Sequence, residues 1–155
     1  MKKVISIMFV LVAVFVVSGC GKTQVLECKI TEEQSGLSME MVSEFTFKGD
    51  TATVVDLAIK MESTEAEAAE GFELMAPIMD GMYEEFASVE GVTYKSEVSA
   101  TEFSMNFSID YDVVSDADLD TLGDLDFDID SEERTGKIED LKASLESEGY
   151  TCKIK

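Results

Sequence analysis

Fourteen consecutive residues, Val4 to Val17, form a nearly unbroken apolar run directly after the cationic start Met1-Lys2-Lys3. A membrane-spanning helix needs about 20 apolar residues, so this run is too short to cross comfortably and suits the core of an export signal. It leads into Val17-Ser18-Gly19-Cys20, small residues followed by a cysteine, which reads as a complete lipobox. The chemistry needs a thiol to receive a diacylglycerol and small neighbours so that a peptidase can cut before the cysteine. Residues 1–19 are then a signal peptide that takes no part in the fold, 20–23 a lipidated tether, and 24–155 one domain. Two acyl chains on one residue anchor stably where a single chain is marginal. The expected address is the extracytoplasmic face of the cell membrane, held through Cys20. The next residue is Gly21, not Asp.

The chain after Cys20 is strongly acidic. The whole sequence has 12 basic and 33 acidic residues; Lys2 and Lys3 leave with the signal, so the mature chain carries 10 against 33, a net charge of −23. Such a field repels nucleic acid and other polyanions, and no nucleic-acid partner is expected. The sequence has no His and no Trp, and its one arginine is Arg134. Without His, the commonest general base is missing and a zinc site of the usual Cys/His kind cannot be built. The 45% apolar content is ample for one hydrophobic core.

Lipidation of Cys20 leaves an even pair, Cys28 and Cys152, in a compartment that permits oxidation. Both lie in short strand-like runs at opposite ends of the domain, and a disulfide joining the first and last strands is expected. A redox-active pair is the alternative, but there is no Cys-x-x-Cys and neither cysteine opens a helix, where a thiolate is favoured.

Hydrophobic periodicity sets the element order. Gln24–Thr31 reads as a strand, followed by a polar turn over 32–36. Met39, Met41, Phe45 and Phe47 alternate with polar residues; Gly49-Asp50 marks a hairpin; Val55, Leu57, Ile59 and Met61 alternate again. Thr64-x-x-Glu67 resembles a capping box opening a helix with apolar positions at Ala68, Phe72, Met75, Met79, Met82 and Phe86. Pro77 inside it is expected to bend or break the helix near Leu74 to Ala76. Val92–Ser99 and Glu102–Tyr111 form a hairpin. Ser131 caps a second helix, with Glu132-Glu133 in its first turn, Ile138, Leu141 and Leu145 as its inner stripe and Gly149 at its end. The order β-β-β-α-β-β-α-β implies an α+β fold, a mostly antiparallel sheet of about six strands with two helices packed on one face.

This layout resembles small lipoproteins of low-GC Gram-positive bacteria related to the YehR-like lipoprotein family. The shared features are the lipobox, a first strand carrying Cys28-Lys29, the turn Phe47-Lys48-Gly49-Asp50, Val89-Glu90-Gly91-Val92 after the helix, and the ending Glu148-Gly149-Tyr150-Thr151-Cys152-Lys153. The resemblance implies an anchored α+β domain. The family has no established activity, so it carries over no catalytic residue.

One stretch is dense in potential hard-cation ligands. Asp116-x-Asp118-x-Asp120 imitates the start of an EF-hand loop, but Thr121 stands where the turn needs Gly and Phe127 where a bidentate Glu is needed. Starting at Asp124 fails likewise, at Ile129 and Thr135. A weak Ca²⁺ site on Asp116, Asp118 and Asp120 is the alternative to a solvated loop in which Leu125, Phe127 and Ile129 dip inward. Paired carboxylates can act as acid and base, but among 33 acids pairs are guaranteed and identify nothing. Met39, Met41, Met61, Met75, Met79, Met82 and Met105 invite a copper reading; all fall on expected inner faces, and core packing is preferred. The sequence thus points to a non-enzymatic, membrane-anchored binding or accessory domain without a cofactor, whose protein or small-molecule partner is unspecified. The alternative is an extracellular cation-binding lipoprotein that uses the tract 110–130.

Overall fold

The computed structural model describes residues 22–155 except 35, 65, 85, 116, 117, 119–121 and 123–135; the side chains of 66–70 and 82 also lie outside the description. The signal, Cys20 and most of the aspartate tract therefore fall beyond it. The elements are β1 (Thr23–Gln34), β2 (Leu37–Lys48), β3 (Thr51–Ser63), α1 (Ala66–Tyr83), a 3-10 turn (Phe86–Ser88), β4 (Val92–Val98), β5 (Glu102–Asp110), α2 (Ile138–Ser147) and β6 (Thr151–Ile154). The six strands form one sheet in the order β4-β5-β3-β2-β1-β6, and every pairing is antiparallel. This is the α+β class and the six-stranded antiparallel sheet that the alternation implies.

The pleat sorts the side chains. Leu26, Phe45, Val55, Ile109 and Val92 stand opposite one another across five strands, and all are at most 6% exposed. Their neighbours along the chain point to the other face, which carries Glu27, Lys29, Glu40, Glu44 and Lys60. One irregularity adjusts this pattern. Between Thr46 and Phe47 the β2–β3 register shifts, so Thr53 is the extra residue of a bulge. Thr53 donates its hydroxyl to the Thr46 carbonyl at 3.2 Å, and its own carbonyl accepts the Tyr111 N–H at 2.9 Å. The bulge lets both Ala52 and Val55 reach the core, although three positions separate them.

Two apolar clusters fill the inner face. In one, Ile138 and Leu141 of α2 join Leu26, Cys28, Phe45, Phe47 and Val55, with Leu122 among them. In the other, Phe72 and Ala76 of α1 join Ile59, Phe103 and Met105. α1 packs over β3, β4 and β5, and α2 over β1 and β6, leaving β2 as the strand between them. Gly91 precedes β4 with φ +92°, and a Cβ there would lie 2.9 Å from the Asp110 carbonyl oxygen, so only glycine lets the chain pass this point.

Three expectations need correction. First, of the bend or break expected near Leu74 to Ala76, the break does not occur: α1 runs continuously through Pro77. Glu73, whose carbonyl loses its partner to the proline, and Pro77 itself are both exposed, so the freed carbonyl is open to solvent. Second, α2 begins at Ile138: Lys137 is extended, with φ −77° and ψ 128°, and no side chain caps the helix. The expected cap, Ser131, lies outside the described residues, and the coil at Gly136 and Lys137 rules out one helix running on from it. Third, β1 runs to Gln34, so the turn to β2 is shorter than the polar stretch 32–36.

Cys28 and Cys152 face each other directly in the β1–β6 pairing and are joined by a disulfide spanning 124 positions. β6 has only four residues, so this bond holds an edge strand too short to hold itself. Replacing both cysteines by Ala is expected to lower the free energy of unfolding by about 3–5 kcal/mol, on the scale of closing so long a loop. Urea titration of the parent and the double variant under oxidising conditions measures the difference.

Candidate functional site

In sequence order, the first and last strands of the sheet meet in a charged cluster on the open face. Glu27 and Glu44 are direct cross-strand neighbours on β1 and β2, an arrangement that like charges oppose. β6 supplies the remedy. Lys153 lies 2.5 Å from Glu27, and Lys155 bridges Glu27 and Glu44, at 2.6 Å from the latter. β6 is thus fastened from both faces: Cys152 beneath, the lysines above. The hydrogen bonds from Lys153 and Lys155 hold the Glu27 carboxyl down at about 2, against an ordinary value of 4.5. A depression of about 490 Å³ wraps this edge, lined by Glu27, Lys29, Ile30, Gly149, Cys152 and Lys153 among others.

A second polar cluster ties α1 to β4. Asp80 accepts hydrogen bonds from the Tyr94 hydroxyl at 2.8 Å and from Ser96 Oγ at 2.6 Å. These donors hold the Asp80 carboxyl below its usual range, Ser96 foremost. Burial, and then the neighbouring carboxylate, pushes the Tyr94 phenol up to about 12. The Tyr94 ring stacks on Tyr83, with centroids 5.5 Å apart, and Tyr83 tilts against Phe107. No local pattern announces Asp80: it sits in a helix stripe read only for its apolar positions, and its partners are more than a dozen residues away.

Most of the described methionines gather around the apolar cluster that α1 covers. Among the described side chains of those expected in the core, only Met105 is fully enclosed. Met41, Met61, Met75 and Met79 are partly buried and pack against the Ile59–Phe72–Ala76–Phe103–Met105 cluster. Met39 is partly buried and stands opposite Met61. The Tyr150 hydroxyl donates to Met41 Sδ at 3.1 Å. The side chain of Met82 lies outside the described residues. On the outer side of α1, Leu74 and Ile78 are 71% and 63% exposed on either side of Pro77.

Of the aspartates weighed as cation ligands, Asp116 and Asp120 lie outside the described residues. Asp118 is engaged locally, its carboxylate accepting the Ser115 hydroxyl at 2.5 Å. Among the described residues, no three His, Cys, Asp or Glu side chains converge as a metal site, and no helix is long and apolar enough to cross a membrane.

No family model matches the chain, and no curated protein matches it. Two solved structures share its fold. One is the NMR structure of the YehR protein of E. coli, with a TM-score of 0.58 and 16% identity over 86% of this chain and 93% of that one. The other is the NMR structure of a protein from Streptococcus pneumoniae TIGR4, with a TM-score of 0.54 and 18% identity over 91% of this chain and 92% of that one. At these identities the likeness is one of fold.

Two outcomes are expected. Because the folded Glu27 carboxyl ionises near 2 and the unfolded one near 4.5, its contribution is complete above pH 4.5 and fades as pH falls toward 2. Glu27→Gln should therefore cost about 1 kcal/mol at pH 7, solvent screening included, and the gap to the parent should close by pH 2. Denaturant melts across that range read it. Tyr94→Phe keeps the ring stack but removes a donor to Asp80; it should cost about 1–2 kcal/mol and let the Asp80 carboxyl titrate closer to its ordinary range, as followed by carboxyl-carbon NMR.

Proposed function

We propose that the chain is a lipoprotein tethered through acylated Cys20 to the extracytoplasmic face of the cell membrane, and that its domain is a non-enzymatic binding or accessory module. The observation that carries this reading is the complete lipobox at Val17-Ser18-Gly19-Cys20 after a short apolar run. The fold suits such an anchor. Lys22, two residues past Cys20, already accepts the Gly49 N–H through its carbonyl at 3.4 Å, and β1 begins at Thr23. A lipid on Cys20 would then hold the β2–β3 turn close to the headgroups, with almost no slack.

The motifs shared with YehR-like lipoproteins, together with the likeness in fold to YehR, support placing the chain beside the small lipoproteins of low-GC Gram-positive bacteria. The disulfide agrees with an oxidising compartment. A binding rather than catalytic role is supported by the sequence's lack of His, the commonest general base.

Metabolic labelling with an alkynyl fatty acid tests the anchor. The parent should take up label and sediment with membranes. Cys20→Ala should take up none and should remain uncleaved or be released. Normal labelling of the variant would refute the anchor.

A further inference from the structure

Sulfur is the donor chemistry on this molecule that the anchoring reading leaves unused. We propose that the strip of sheet between α1 and α2 is a site for a soft monovalent cation of the Cu(I) class, held by the thioethers of Met41 and Met61 from the sheet and Met75 and Met79 from α1.

Placement comes first. The four side chains reach one apolar cluster from two layers of the fold: Met41 on β2, Met61 on β3, and Met75 and Met79 one helical turn apart on α1. Met39, directly opposite Met61 on the same face, stands next to them as a fifth donor. Methionine has three rotatable bonds, so thioethers that border one cluster can turn toward a common ion.

Exposure separates these residues from simple core filling. Met105 is completely buried within the same cluster, whereas Met41, Met61, Met75 and Met79 are all partly exposed. Each is partly open to solvent, so a small ion can reach it without unfolding the domain. Met41 shows that these sulfurs already meet polar partners: the Tyr150 hydroxyl donates to its Sδ at 3.1 Å. That hydroxyl has only to swing aside to free the lone pair.

Donor type selects the ion. Thioethers are soft and uncharged, and they favour Cu(I) over Ca²⁺, Mg²⁺ or Zn²⁺. Within the domain the competing soft donors are out of play: the chain has no His, and Cys28 and Cys152 are bonded to each other, which leaves Cys20, the residue that acylation would cap. The formal charge of −21 draws cations toward the surface; burial first, and then Glu148 and Glu32, raise the Tyr150 phenol beside Met41. Thioethers bind no proton in the working range, so the affinity is insensitive to pH, unlike that of any carboxylate site.

The proposal stands independently of the tether, and its test uses chain that bears no lipid. The full chain carrying Cys20→Ser, which removes a competing thiol, is titrated in non-ionic detergent without oxygen. Cu(I) is supplied against a chromogenic Cu(I) chelator, with Ag(I) as a redox-silent stand-in. One equivalent of either ion should bind with the same affinity at pH 5.5 and pH 7.5. The ε-methyl NMR signals of Met41, Met61, Met75 and Met79 should shift while that of Met105 stays. Met41→Leu with Met61→Leu conserves volume, so the thermal melt should hold while affinity falls at least about tenfold. Should that pair fail to fold, Met75→Leu alone, on the helix, must still weaken binding. No binding, unchanged binding in the Leu variants, or an affinity lost on acidification would each overturn the proposal.

Discussion

A single sheet with one covered face makes every strand depend on its neighbours' register. The row Leu26–Phe45–Val55–Ile109–Val92 is apolar from β1 to β4, and one residue of slippage in any strand would turn its members out to water. The next row, Cys152–Cys28–Ser43–Leu57–Phe107–Tyr94, carries the disulfide at one end and the Asp80 clamp at the other. Further along, Met41–Ile59–Met105 and Met39–Met61–Phe103 bring sulfur to the middle of the sheet. The covalent bond and the polar clamp close the two ends of one row and the methionines enter the next two, all placed by the same pleat.

The opposite face solves a different problem. An acidic chain with few lysines must set them where repulsion is worst. Lys29 pairs with Glu40, Lys60 with Glu62 and Glu102, Lys48 with Asp112, and the two lysines of the final segment sit between Glu27 and Glu44. Most of these pairs are exposed and individually weak. Their common effect is to let acidic strands lie side by side.

Much of this architecture could be read from the chain. β5 alternates without a break from Phe103 to Ile109 because one of its faces is covered and the other is wet, and that contrast is written into consecutive residues. The Cys28–Cys152 bond was legible for a related reason: both cysteines sit in strand-like runs at opposite ends of the domain, and Cys20 was read as the lipid acceptor. Helix ends were harder to read. α2 starts after Lys137 without a side-chain cap, so a rule built on Ser and Asp had nothing to find there. That Pro77 does not break α1 depends on which side of the helix meets water, and only packing decides that. The methionine strip lay between these cases. Periodicity put the side chains on the inner face, but only tertiary packing left them partly open. Asp80, Tyr94 and Ser96 give no local sign of one another.

Making the last four-residue strand the neighbour of the first has a consequence for how the protein is made. Among the described elements β1 comes first along the chain and β6 last. Until β6 docks, one edge of β1 has no strand beside it, and the Cys28 thiol waits for a partner 124 positions behind it. The sheet is open along a line that any other extended segment could occupy, and docking of β6 closes it.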